Sequence, residues 1–352
     1  MRATDLVPCL LTSYRFYYWT VSTSRTRNPP QAARKTASLK ILVTGSDTPI
    51  GRDLMLAMRQ DLEIMGVSQR GIDLTDPERV NELFMRLRPR AVIHTDGMLD
   101  ADACEREPWQ ALRQNVLTTQ NLVLACLEHD AGFALISTSD VFSGAKKGPY
   151  TEWDQPDPQN VLGHSKAAAE MVVRNHLKKF HIIRTQSVFS RDGDDFVRQV
   201  LSSAADRRPM EATGDEFMLP TYSADLARAI ARLVRGGTYG TFHITNSGER
   251  DGISWHAWAR TILRVGGHEG FPVHAVASAT LDRPARRPLR VVLGNTFYRL
   301  QGFKIRDYEE ALVACLSEAT RRPPDVSPTR RERRAIVPES TPPPTTSPSP
   351  EA

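Results

Sequence analysis

Lys40-Ile-Leu-Val-Thr-Gly-Ser-Asp-Thr-Pro-Ile-Gly51 decides the fold. Its first five residues form a short apolar run rich in β-branched side chains and closed by glycine, the pattern of a buried strand. Beyond Gly51 the apolar residues Leu54, Leu56 and Met58 continue as a helix. Strand, glycine turn, helix is the opening of a dinucleotide-binding unit. The chain turns sharply at the first glycine, the helix packs close at the last, and amide groups at the helix start face a pyrophosphate. Gly45, Asp47, Thr48, Ile50 and Gly51 are therefore the candidate phosphate ligands. Thr48 stands where a fuller motif has another glycine. Its side chain narrows the space for phosphates, and its hydroxyl is able to donate to one. The same turn also serves as a plain strand–helix connection with no ligand.

Working outward, a second strand over 62–68 ends in Ser68-Gln69-Arg70. An NAD-preferring fold places an acid here for the ribose hydroxyls. This chain offers Arg70 instead, which suits a 2′-phosphate and favours NADPH, with NADH as the alternative. Asp73 follows as a contact for the adenine side. Asp76 reads as an N-cap before Pro77. A third strand over 90–94 ends at His94, a helix over 109–128 carries Asn115, and a fourth strand over 133–137 leads into Thr138-Ser139. A helix after residue 160 and a strand over 181–185 complete the alternation. The pattern predicts an α/β fold, a Rossmann-like doubly wound parallel sheet with ligands beyond the carboxyl ends of its strands. Gly45, His94 and Thr138 fall at that edge.

From about 191 the pattern becomes α+β: helices over 196–205, 224–234, 255–265 and 307–319, and a strand over 240–245. We expect a mainly dinucleotide-binding domain over 39–190. A smaller C-terminal substrate lobe, mainly over 191–320, interleaves with the sheet. Trp255 and Trp258 read as core of that lobe. The helix after 160 has a small apolar face, Ala167 to Ala169 with Met171 to Val173. It packs either within the chain or against a second copy, so a homodimer is one expectation.

The two ends differ in composition. Residues 1–38 carry six basic side chains and one acid, and residues 321–352 carry six arginines, four acids and the run Ser340-Thr-Pro-Pro-Pro-Thr-Thr-Ser-Pro-Ser-Pro350. Such segments bury little and are expected to be disordered. The chain is +5 overall, and these ends contribute +5 and +2, which leaves the middle near −2. The basic balance belongs to the ends, so it gives no argument for nucleic-acid binding by the folded part. The apolar stretch near the N-terminus is too short to span a bilayer. Cys9, Cys104, Cys126 and Cys315 have neither metal nor redox spacing. No metal or membrane partner is expected, and a reducing, cytoplasmic setting is.

The order of motifs resembles the dTDP-4-dehydrorhamnose reductases, of the extended short-chain dehydrogenase/reductase superfamily, over roughly 39–320. Ser137-Thr-Ser-Asp-Val-Phe-Ser-Gly144 looks like the family's Ser-Thr-Asp-Tyr-Val-Phe-x-Gly. Gly148-Pro-Tyr-Thr-Glu152, Leu219-Pro-Thr-Tyr-Ser-Ala-Asp-Leu-Ala227, His243, Gly248, Ser254-Trp255, Arg283-Pro-Ala-Arg-Arg-Pro288 and Leu293 match later segments in order. The resemblance implies hydride transfer from NADPH to the C4 ketone of a nucleotide-activated sugar. In that chemistry a hydroxyl residue orients the ketone and a tyrosine gives a proton to the forming alkoxide. A lysine four residues later lowers the phenol pKa and holds the nicotinamide ribose. Carried over, Thr138 takes the hydroxyl role, Lys166 the lysine role, and Asn115 the structural asparagine. On the substrate side the resemblance places Ser139, Tyr150, Asp195, Pro220 and Thr221. Arg283, Arg286 and Arg287 suit the diphosphate, since guanidinium forks match phosphate oxygens; otherwise they form a solvated basic loop.

The tyrosine position is Leu162. Leucine neither donates a proton nor binds an oxyanion. Other departures cluster here: Thr48 for a glycine, His94-Thr95-Asp96 for Asn-Ala-Ala, Ser139-Asp140 for Asp-Tyr, and Asp195 for an asparagine. Tyr150, His94, His164 and Lys166 itself with a bound water are the candidate replacements, although His164 lies about 200° around the helix from Leu162. Two readings stand: a reductase with Thr138 and Lys166 as its surviving pair, and a nucleotide-sugar or NAD(P)-binding regulatory protein that has lost turnover.

Overall fold

The computed structural model describes residues 40–59, 63–68 and 70–319. Both predicted disordered ends lie outside the described residues. The first half alternates as expected: β1 (Lys40–Thr44), α1 (Pro49–Met58), β2 (Glu63–Val67), α2 (Pro77–Leu87), β3 (Ala91–His94), α3 (Ala101–Arg106), α4 (Pro108–Leu112), α5 (Thr118–Glu128), β4 (Gly132–Thr138), α6 (Val161–His176) and β5 (Phe180–Thr185). After β5 come β6 (Val188–Phe189), α7 (Phe196–Ala205), β7 (Met210–Thr213), β8 (Phe217–Met218), β9 (Thr221–Tyr222), α8 (Ser223–Gly236) and β10 (Gly240–His243). The chain ends through β11 (Ile253–Ser254), α9 (Trp255–Val265), β12 (Val273–Val276), α10 (Thr296–Leu300) and α11 (Tyr308–Ala319).

Six strands form one parallel sheet in the order β10-β5-β4-β3-β1-β2. The chain leaves β1 for β2 on one side and then for β3 on the other, so the order reverses between β1 and β3. Crevices for ligands open at such a reversal, outside the carboxyl ends. Successive side chains of a strand face opposite ways, so a sheet covered on both faces needs continuous apolar runs. Ile41, Val43, Ile93 and Ile183 pack with Leu54 and Met58 of α1 and Leu226, Ile230 and Leu233 of α8. Leu42, Val92, Leu135 and Ile182 pack on the opposite face with Phe84 of α2, Leu122 and Val123 of α5, and Ala169 and Val173 of α6. A third core joins α7, α9 and α11 around Trp258, which is fully buried as expected. The late strand β10 pairs with β5 and α8 covers α1 and the sheet, so the chain beyond 191 completes the parallel sheet as well as forming the third core.

The helix expected over 109–128 is not uniform. Between α4 and α5 it widens into a π turn, Arg113–Leu117. The Asp76 cap and the Pro77 start of α2 are as read from the sequence, Asp76 accepting from the Glu78 and Arg79 amides.

Candidate active site

The glycine turn after β1 forms a cradle. Gly45 has φ +71°, and a Cβ there would meet Thr95 Oγ1 at 2.7 Å. A Cβ on Gly51 would lie 2.0 Å from Gly45 O, so only glycine lets α1 approach β1 this closely. The Thr48 hydroxyl, expected to be free for a phosphate, is used inside the loop. It accepts from the Gly51 amide at 3.0 Å, donates to Gly45 O at 2.8 Å, and lies 3.1 Å from Thr95 Oγ1. Pro49 has no amide hydrogen. The Ile50 amide is the remaining donor at this helix start that has no partner among the described residues. Asp47 is exposed at the lip of the turn. The cradle and the helix start fit a dinucleotide pyrophosphate, with fewer amide donors than a glycine at 48 and a non-proline at 49 would give.

Arg70 is exposed and without an ion-pair partner among the described residues, so its guanidinium remains available. Asp73 is exposed but accepts from both the amide and the hydroxyl of Thr75. The Thr75 hydroxyl bond is the first cause holding its carboxyl below the usual range. His94 is buried, its Nδ1 2.6 Å from Thr44 Oγ1, and burial followed by the charge of Lys166 drives its pKa down to about 3. A histidine so held stays neutral, which removes it as a replacement acid.

Lys166 is 2% exposed on the inward face of α6, with Nζ 3.3 Å from Ile136 O. Burial lowers its pKa to about 8, opposed first by the charge of Asp96. A buried network fixes the helix that carries it. Arg184 of β5 donates twice to Glu170 of α6, at 2.9 and 2.6 Å, and Ser137 of β4 donates to the same carboxylate at 2.7 Å. The π turn aims Asn115 at this helix. Asn115 accepts from the Met98 amide at 2.9 Å and donates to Met98 O and Ser165 Oγ, clamping the segment after β3 onto α6. Its side chain thus positions the lysine's surroundings.

Leu162 is buried among Met98, Ala101, Cys104, Ala111, Val161 and Ala285. Burying a leucine stabilises by about 1.5–3 kcal/mol, so the residue has a packing role where the resemblance calls for a phenol. Ala285 belongs to the segment holding the three arginines, and that segment is strapped over the site. Its amide donates to Asp102 of α3, Arg287 pairs with the same carboxylate at 3.0 Å, and Asn160 donates to Arg286 O at 3.0 Å. Arg283 pairs with Glu216. Arg286 is exposed and carries no ion pair among the described residues. All three arginines line one cleft of about 480 Å³, together with Ser143 and Gly144.

Thr138 ends β4 at the carboxyl edge, and Ser139 is buried in the short turn that follows. Tyr150 is not poised to swing inward. It is 5% exposed, stacked on Phe142 at 4.3 Å, and its hydroxyl accepts from the Lys146 amide. It anchors the loop. His164 is exposed, facing away as its helical position requires. Asp195 caps α7, with one oxygen accepting from Val197 and Arg198 and the other from Ser190, so its carboxylate is occupied within its own loop. Pro220 and Thr221 are buried at the start of β9, where Thr221 pairs with Val188 of β6.

Sequence reasoning named Asp140 only as a departure from the family pattern and passed over Asn160 and Asp102. Asp140 lies between Thr138 and the start of α6. Thr138 Oγ1 is 3.3 Å from Asp140 Oδ1, and Asn160 donates to Oδ2 at 3.2 Å. The signal was present: in Ser139-Asp140 the carboxylate stands one residue later than in the family's Asp-Tyr.

A parallel sheet reversing beside a glycine cradle, with Thr138 and Lys166 at its carboxyl edge, defines a protein of the short-chain dehydrogenase/reductase class. Comparison with known proteins narrows this. The profile of the RmlD substrate binding domain matches residues 39–321, and the chain belongs to that family. It is 30% identical over 275 residues to the dTDP-4-keto-6-deoxy-D-glucose reductase of Streptomyces niveus, an alignment covering 77% of this chain and 94% of that one. Among solved structures, a dTDP-4-dehydrorhamnose reductase from Clostridium acetobutylicum superposes with TM-score 0.77 at 29% identity, covering 80% of this chain and all of that one. The enzyme of the same description from Bacillus anthracis, solved in complex with NADP, also gives TM-score 0.77, at 27% identity, over 80% of this chain and 99% of that one.

Proposed function

We propose that this chain is an NADPH-dependent reductase of a nucleotide-activated 4-keto-6-deoxysugar. The observation that carries the proposal is that Thr138 ends β4 at the carboxyl edge of the sheet while Lys166 of α6 reaches the same strand, its Nζ 3.3 Å from Ile136 O. Reductase relatives, one of them solved with NADP, support the same reading. The Gly45–Gly51 cradle and the Ile50 amide would hold the pyrophosphate, and Arg70 a 2′-phosphate. NADPH supplies the hydride when bound. Lys166 would hold the nicotinamide ribose, Thr138 the ketone oxygen, and Arg286 the sugar's diphosphate.

Leu162, sealed under Ala285, and the spent donors of the glycine turn favour a second reading: a nucleotide-sugar or NAD(P)-binding regulatory protein. The test is to follow NADPH absorbance with a dTDP-4-keto-6-deoxysugar for wild type and Leu162→Tyr. Turnover by wild type supports the reductase; a silent wild type that still binds NADPH and dTDP supports the second reading.

The finer partner reading is a homodimer through α5 and α6, where Leu124, Leu127 and Met171 are exposed apolar side chains. Light scattering should give twice the 39.4 kDa chain mass, and the chain mass alone after Leu127→Glu. The unpaired Cys104, Cys126 and Cys315 fit a cytoplasmic setting. Among the described residues no helix is long and apolar enough to cross a membrane.

A further inference from the structure

Leu162 removes the proton donor, and a reduction still needs one. Three observations bring Asp140 to the vacated role. First, Asp140 is adjacent to the helix that should have carried the phenol. A Cβ on Gly163 would lie 2.1 Å from Asp140 O, so glycine next to Leu162 is what lets α6 close onto this residue. Second, its carboxyl is tied to the ketone-orienting residue, because Thr138 Oγ1 donates to Asp140 Oδ1 at 3.3 Å and accepts from the Asp140 amide at 3.2 Å, a contact along which a protonated Asp140 donates once the Thr138 hydroxyl turns to the ketone. Third, Asn160, which caps α6 by accepting from the Gly163 amide, turns its Nδ2 to Asp140 Oδ2 and fixes the carboxyl plane.

We propose that Asp140 is the proton source of this active site, acting through the Thr138 hydroxyl in place of the missing tyrosine. The inference rests on the reductase reading. NADPH would supply a hydride to the ketone carbon, and the C=O π pair would become an oxygen lone pair. The Thr138 hydroxyl gives its proton to that oxygen, and the Asp140 carboxyl proton replaces it on Thr138 Oγ1. The carboxylate left on Asp140 takes a proton from water. The ketone gains one hydride and one proton, and Thr138 is unchanged.

The surroundings support a carboxyl that holds its proton. Burial raises the Asp140 pKa, opposed by the Asn160 bond, the Arg287 charge and the Thr138 bond, with Glu216 adding to the rise. Arg287 is itself shared with Asp102, and Glu216 with Arg283, so neither acts on Asp140 at full strength. The Cys104 thiol of α3 is raised to about 11 by burial first and stays neutral. A raised carboxyl pKa means the acid is present below that pKa and lost above it.

The test uses the full chain with NADPH and a dTDP-4-keto-6-deoxysugar, comparing wild type, Asp140→Asn, Leu162→Tyr and the double variant. Calorimetry with dTDP checks the substrate site of each. Asp140→Asn should lower kcat by about 10²–10⁴-fold with KM and dTDP affinity unchanged. At saturating NADPH, and below the pH at which Lys166 loses its proton, it should also abolish the fall in kcat with rising pH, and Leu162→Tyr should restore turnover in the Asp140→Asn background. Without any substrate, carboxyl ¹³C shifts should show Asp140 titrating above the ordinary aspartate range. Wild-type kcat and pH profile in Asp140→Asn, or a normal Asp140 titration, overturns the proposal and leaves the reductase reading standing. A wild type that binds dTDP and NADPH but never turns over overturns both.

Discussion

Lys166 holds its charge where water does not reach it. Its pKa is depressed from 10.5 to about 8, with burial the first cause. Between those two values the folded chain has released a proton that the unfolded chain keeps, so stability rises with pH across that window. Below pH 8 the buried ammonium costs on the order of 3 kcal/mol, which a leucine or methionine would not. Such a cost persists where the charge has work at a ligand. The expected outcome is that NADPH affinity falls roughly tenfold or more between pH 7 and 9.5, as the ammonium and its charged hydrogen bond are lost. Fluorescence titration at the two pH values measures this. A flat profile in wild type, matching Lys166→Met, would show that the charge does no binding. At this scale the sequence was only partly legible. Thr138, Lys166 and the cradle glycines could be placed from motif order, because each is fixed by backbone geometry or by helical spacing. What Thr48, Arg283 and Arg287 do could not, because it depends on partners such as Thr95, Glu216 and Asp102 that lie far along the chain.

The first turn of helix α6 ties the segment after β4 to the arginine segment. Asn160 caps it, bonds Asp140 and holds Arg286 O, while Gly163 gives the clearance for Asp140 O. Gly163→Ala would place its methyl 2.1 Å from a backbone oxygen and 2.8 Å from Pro158 Cβ, neither of which is the end of a flexible side chain. Gly-to-Ala inside a helix ordinarily stabilises by up to about 1 kcal/mol; here overpacking should dominate and destabilise by about 1–3 kcal/mol. Urea midpoints for the two proteins decide the sign. A midpoint that rises would mean that α6 slides away from Asp140 without cost, and the close approach would have no structural weight. The strands and most helices were readable because period 2 and continuous apolar runs survive any partner. The π turn at Arg113–Leu117 was not. One extra residue in a turn leaves the apolar pattern on either side intact, and only the aim of Asn115 at Met98 and Ser165 reveals it.

Across the molecule, three histidines are buried as neutral rings at the parallel sheet: His94 on β3, His181 on β5 and His243 on β10. Burial is the first cause in each, lowering their pKa values to about 3, 4 and 3. The unfolded chain protonates them near 6.5. Below that pH it binds protons that the folded chain does not, so stability falls as pH falls, down to the folded pKa values. Between pH 7.5 and 5.5 each histidine should cost about 1.4 kcal/mol, so the three together should cost about 4 kcal/mol. Against a total stability of about 5–15 kcal/mol this loss is decisive. Asp53, Asp140 and Asp195, whose carboxyls burial raises above 3.8, act in the opposite sense. They are protonated more readily folded than unfolded, so they return stability as the pH falls through their folded values. The histidine slope is therefore read on the neutral side of the carboxylate range. Urea unfolding at pH 7.5 and 5.5 should show the loss, and His181→Gln should remove about a third of it. Equal stability at the two pH values would mean that these rings reach water or a carboxylate on charging, and that the sheet is less closed than its packing indicates.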